Sequence, residues 1–152
     1  MDNHFHLLLR ENIDDGISRF MQRISTSMAA YLNAKYSERG TPFQGSYRAR
    51  TISDDRHMQY LNAYIHVKNP FERHPRGSGY AAAHFNDAFE WAAAYPFSSL
   101  MDYRGRRKAQ ILDFEVIDEI FESDNDAFKR FAHDMIQGRI HIDDEIERIL
   151  LT

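Results

Sequence analysis

The chain has 152 residues, 43% apolar and 13% aromatic, which is enough to build one ordinary domain around a core and too apolar for a disordered polymer. It holds no cysteine, excluding a disulfide scaffold and a thiolate metal site, and no apolar run approaches the ~18 residues of a bilayer span. The net charge of −4 is unevenly spread: residues 1–110 carry 15 Lys and Arg against 11 Asp and Glu, and residues 111–152 carry 4 against 12, so a mildly basic, arginine-rich body of 1–110 precedes an acidic extension of 111–152.

Asn3 to Leu9 read as a strand, with His4, His6 and Leu8 on one face and Phe5, Leu7 and Leu9 on the other. Asp14, Asp15 and Gly16 break the chain, after which Phe20, Met21, Ile24, Met28, Tyr31 and Leu32 recur at helical spacing, predicting a helix over 16–37 that ends before Gly40 and Pro42. FQGSYRARTI, residues 43–52, reads as a second strand. Its Phe43, Tyr47, Ala49 and Thr51 form a packing face, and Gln44, Ser46, Arg48 and Arg50 form a basic one. Ser53, Asp54 and Asp55 start a helix predicted over 54–67 and closed by Pro70, with His57, Tyr60, Leu61, Tyr64 and Lys68 on one stripe. Residues 72–79 read as a loop and 80–95 as an alanine-rich helical stretch. YPFSSLMDYRG reads as an irregular segment lying over a core through its aromatics. Two short amphipathic helices are expected over 113–122 and 125–137, followed by an acidic end near 143–150.

Three features carry chemistry. Two neutral imidazoles on alternate residues of a strand, His4 and His6, can reach one divalent cation, although the same pair also suits partly exposed strand positions. A tyrosine such as Tyr64 can attack phosphorus and leave a covalent phosphotyrosyl bond, although Tyr60, Leu61 and Tyr64 equally describe the buried stripe of an amphipathic helix. Arg48 and Arg50, with Arg10 beside them if the strands are neighbours, suit phosphate oxygens or a solvated strand face. A hydrolase using His4 and His6 with Asp54 or Asp55 is the less favoured alternative, because both aspartates are explained as first-turn helix residues.

Taken in order, NHFHLLLR, ISRFMQRISTSMAAYLNAKY, GTPFQGSYRAR, DDRHMQYLNAYIHVKNP and YPFSSLMDYRG resemble the REP-associated tyrosine transposases over roughly residues 2–105. These are a branch of the single-tyrosine HUH transposases. The resemblance implies an α+β fold, a ferredoxin-like antiparallel sheet with packed helices, followed here by a C-terminal helical extension. It also implies a first strand and helix ahead of the HUH strand, so this chain reads as lacking that N-terminal part. By the same resemblance His4 and His6 hold Mg²⁺ or Mn²⁺ and Tyr64 is the nucleophile that forms a 5′-phosphotyrosine. The partner is then single-stranded or hairpin DNA, bound by Arg10, Arg48, Arg50 and Lys68, and the protein acts in the cytoplasm at the nucleoid as a monomer or homodimer. A truncated, non-catalytic binder of hairpin DNA is the alternative. Relatives commonly read YIHLNP, with a polar third ligand one turn after the tyrosine. YIHVKNP has one residue more and puts Lys68 there, so Asn69 or His66 is expected to take that role. The segment ERHPRGSGYAAAHFNDAFEW is also longer than the usual loop.

Overall fold

The computed structural model describes residues 4–121 and 124–140, and every regular element among them is helical. The expected ferredoxin-like antiparallel sheet is therefore corrected to a helix-dominated architecture. Both segments read as strands, around His4 to Leu9 and over 43–52, carry no regular element among the described residues. Alternation of apolar and polar residues makes a chain suitable for a sheet, but a strand is secured only by a partner's ladder. Without that ladder the supposed packing face of 43–52 stays in water, with Tyr47, Ala49 and Thr51 all exposed.

Two compact units make up the chain, one of residues 1–6 and 52–152 and the other of residues 7–51. The smaller unit is built on α1 (Gly16–Tyr36), as its periodicity predicts. Asp15 and Ser37 bracket the helix in left-handed conformations, with φ of 59° and 56°. Asn33 Nδ2 donates to the carbonyl of Gly40 at 2.8 Å, and the hydroxyls of Ser18 and Tyr47 meet at 3.1 Å. Of the apolar stripe on α1 only Met21 is buried.

In the larger unit α2 (Asp55–Ala63) starts at Asp54, whose carboxylate accepts the His57 N–H at 2.8 Å. The helix does not stop before Pro70 as expected. It widens into a π-helical turn over Tyr64–Lys68 and resumes as α3 (Asn69–Glu72). Pro70 falls in the first turn of the resumed helix, where its missing N–H costs no intrahelical bond. The alanine-rich stretch is divided at His84 into α4 (Ser78–Ala83) and α5 (Phe85–Ala92). α6 (Leu100–Tyr103), α7 (Glu115–Ile120) and α8 (Asn125–Ile136) follow. The acidic end expected near 143–150 lies outside the described residues.

One core joins these helices. Phe128 of α8 meets Phe89 of α5 at 6.3 Å between ring centroids, Tyr103 of α6 at 5.2 Å and Phe121 after α7 at 5.3 Å. Phe71 and Phe85 meet at 5.6 Å, and Tyr60, Tyr64, Val67 and Leu100 complete the cluster. Each such side chain contributes ~1.5–3 kcal/mol by leaving water. α3, α4, α6 and α7 are too short to persist alone, so this packing is what holds them.

Candidate active site

His4 and His6 do point the same way, although no sheet holds them: their rings lie edge to face with centroids 5.1 Å apart. The ring of His6 in turn meets that of Tyr64 edge to face at 5.8 Å. The larger unit therefore gathers the two histidines and the tyrosine, some sixty positions apart in sequence, into one line of rings. Tyr64 sits in the core at 1% exposure, as the amphipathic stripe of its helix also predicts.

The π-helical turn decides what stands one turn beyond Tyr64. Here the Asn69 N–H donates to the Tyr64 carbonyl, a five-residue step in place of the usual four. A π-turn absorbs one additional residue in a helix, and YIHVKNP has that residue. Lys68 closes the wider turn and Asn69 follows it. The Lys68 ammonium lies 5.1 Å from the Tyr64 ring centroid, and Asn69 Oδ1 is buried without a hydrogen-bond partner.

His66 is committed elsewhere. Its Nδ1–H donates to the Asn62 carbonyl at 3.0 Å and also meets the Asn62 side-chain oxygen, and Nε2 accepts from the Ser99 hydroxyl at 2.7 Å. Both ring nitrogens are thus used, Nδ1 on Asn62 one turn back in α2 and Nε2 on Ser99 at the start of α6. Burial pushes the His66 imidazole down to about 4, so it is neutral at physiological pH. Asn62 and Ser99 were not singled out from the sequence; only the i, i+4 spacing of Asn62 and His66 hints at the first contact.

His6 behaves differently. Burial, helped by the adjacent His4 ring, holds its imidazole below the usual value, while the negative charge of Glu72 works against that. Its Nε2 is buried with no hydrogen-bond partner. A neutral imidazole and an amide oxygen, each with an unused lone pair in a buried place, fit a divalent cation's first shell. No group of three histidine, cysteine or carboxylate side chains that could hold a metal ion exists among the described residues.

Arg10, Arg48 and Arg50 all lie exposed in the smaller unit. The sheet that was expected to bring Arg10 beside the other two is absent among the described residues. Asp54 is engaged as a helix cap, as its position in the sequence predicts.

Residues 1–68 match the family model described as "Transposase IS200 like". That segment is similar to IS200-like transposases. The match takes in His4, His6 and Tyr64 and ends at Lys68, one residue before Asn69. A DNA-processing enzyme of the transposase class is what this similarity supports, and none of the described helices is long and apolar enough to cross a membrane. No curated protein and no solved structure matches the chain.

Proposed function

We propose that this transposase-like chain cuts and rejoins single-stranded DNA beside a hairpin through a covalent 5′-phosphotyrosine at Tyr64. The observation that carries the reading is the run of contacts from His4 to His6 to Tyr64, inside the segment similar to IS200-like transposases. The phenol oxygen attacks the scissile phosphorus and its proton departs to solvent or a nearby base. The P–O3′ bond breaks, and the 3′ oxygen leaves as a hydroxyl after taking up a proton. Because a phosphodiester is exchanged for a phosphotyrosyl ester, a second 3′-hydroxyl can reverse the step and join strands without an energy cofactor. His4, His6 and Asn69 are the residues that would hold Mg²⁺ or Mn²⁺, which when bound supplies Lewis-acid polarisation of the phosphate. In this reading the Lys68 ammonium, 5.1 Å from the Tyr64 ring centroid, binds a phosphate oxygen, and the exposed Arg10, Arg48 and Arg50 bind backbone phosphates.

The burial of Tyr64 favours a second reading, a protein that binds hairpin DNA without cutting it. Cleavage requires the phenol to be uncovered when DNA binds, and binding alone does not. Incubation with labelled hairpin-flanked single-stranded DNA and Mn²⁺ separates the two on a denaturing gel. The catalytic reading expects a covalent adduct that Tyr64→Phe abolishes and that metal chelation prevents. Retarded hairpin DNA with no adduct at any Mn²⁺ concentration establishes the binding protein instead.

A further inference from the structure

The long segment after the Tyr64 helix builds a feature that the proposed cleavage chemistry does not use. Phe97, Tyr95, Trp91 and His74 follow one another with ring centroids 5.7, 5.2 and 4.9 Å apart. His74 continues to Tyr80 at 5.4 Å and Tyr80 to His84 at 4.0 Å, both pairs stacked. The guanidinium of Arg76 lies 3.6 Å from the Tyr80 centroid. The result is a continuous strip with an aromatic end at Phe97 and a cationic end at Arg76.

The aromatic end is held out in water. Phe97 is 87% exposed, although burying it would gain ~1.5–3 kcal/mol. A lone exposed phenylalanine means little, but this one ends a connected row and its backbone is gripped on both sides. Arg107 donates from Nη1 to the Pro96 carbonyl at 3.1 Å and from Nη2 to the Ser98 carbonyl at 3.0 Å. Arg107 is in turn fixed by Nε donating to the buried Asp102 carboxylate at 2.8 Å, and Asp102 also accepts the Ala109 N–H at 2.8 Å. The turn that carries Phe97 is therefore pre-set by an ion pair whose carboxylate is buried, as suits a group whose contact is made with another molecule.

We infer that this strip, from Phe97 through Trp91 to Arg76, is a stacking platform for the bases of single-stranded nucleic acid. The inference rests on the reading of the chain as a protein that acts on DNA. Its chemistry selects that occupant: the exposed Phe97 ring, set edge to face on Tyr95, offers its own face to a base of any sequence, and a guanidinium at the far end, with no carboxylate paired to it among the described residues, suits the phosphates that accompany the bases. A protein helix would call for an aliphatic groove, and the row contains no aliphatic side chain.

Trp91 is the only tryptophan in the chain, which also has 8 tyrosines, so selectively excited tryptophan fluorescence reports on the strip. The full chain is titrated with a twenty-residue oligothymidylate and with an abasic strand of the same length and phosphate charge. Expected are quenching of Trp91 by the oligothymidylate, binding at least ~10-fold weaker for the abasic strand, and a loss of ~10-fold or more in oligothymidylate affinity on Phe97→Ala, with abasic binding unchanged and Phe97→Tyr close to the parent. Phe97 is 87% exposed, so its loss leaves the fold intact. Equal affinity for both strands, or a Phe97→Ala variant that binds oligothymidylate as the parent does, overturns the inference, as does the absence of any binding, which would leave the strip to a protein partner. Adduct formation at Tyr64, scored on the same variants with saturating hairpin DNA, keeps the two readings apart. A Phe97→Ala protein that binds and cuts like the parent sinks only the platform, and quenching without an adduct sinks only the cleavage.

Discussion

Phe128 and Tyr31 both belong to amphipathic helices with clear apolar stripes, yet Phe128 is fully buried among three aromatic rings and Tyr31 is 62% exposed. Among the described residues α1 is the longest helix, at 21 residues, and Met21 is its one buried side chain. α3, α4, α6 and α7 have only 4 to 6 residues each but border the core. The two units thus owe their helices to different causes. α1 is long enough to be held by its own ladder, by a left-handed stop at Ser37 and by a few polar ties, whereas the short helices exist only because their neighbours pack on them. Helical periodicity reports what a face is suited to cover, and it is silent on whether anything covers it.

The sharpest way to break this comparison is to remove one aromatic residue from each unit. Phe128→Ala is expected to cost ~3–5 kcal/mol by opening a cavity against Phe89, Tyr103 and Phe121, and Tyr31→Ala to change stability by ~0.5 kcal/mol or less. Urea unfolding followed by Trp91 fluorescence measures both, and comparable losses would show that α1 is packed after all.

A second test uses the polar tie between the π-turn and α6. His66 titrates at about 4 in the folded chain against 6.5 for an ordinary histidine, so between those values the unfolded chain binds the extra proton. The stability this contributes is present above pH ~6.5 and is lost as pH falls toward 4, with ~2 kcal/mol gone between pH 7 and pH 5. Urea midpoints at the two pH values should show that drop in the parent and a much flatter response in His66→Gln. A smaller loss is expected at the start of α2, where Asp54→Ala removes a cap worth ~1 kcal/mol. The fall in melting temperature should be modest, leaving the core and its fluorescence unchanged.

Much of the helical layout was legible in the sequence. Gly16 to Tyr36 had a 3.6-residue period and a stop, Asp54 had the side chain and position of a cap, and the last two helices had their apolar stripes. The strands at His4 to Leu9 and 43–52 were misread because alternation is a local property and pairing is not. The π-turn was missed for a related reason: a fifth-residue step costs hydrogen-bond geometry, and only packing on both sides of Tyr64 and Val67 makes it worthwhile. Its one sequence-level trace was the additional residue in YIHVKNP.

For the candidate site, residue types and order were enough to single out His4, His6 and Tyr64. Composition alone limited the choices to imidazole, phenol and oxygen ligands, since there is no cysteine. The sequence did not choose between His66 and Asn69. In the fold His66 spends both nitrogens on Asn62 and Ser99, whereas the Asn69 oxygen and His6 Nε2 are buried with no hydrogen-bond partner. Side-chain chemistry is written in the chain, but whether a donor is already satisfied depends on which groups, distant in sequence, the core brings against it.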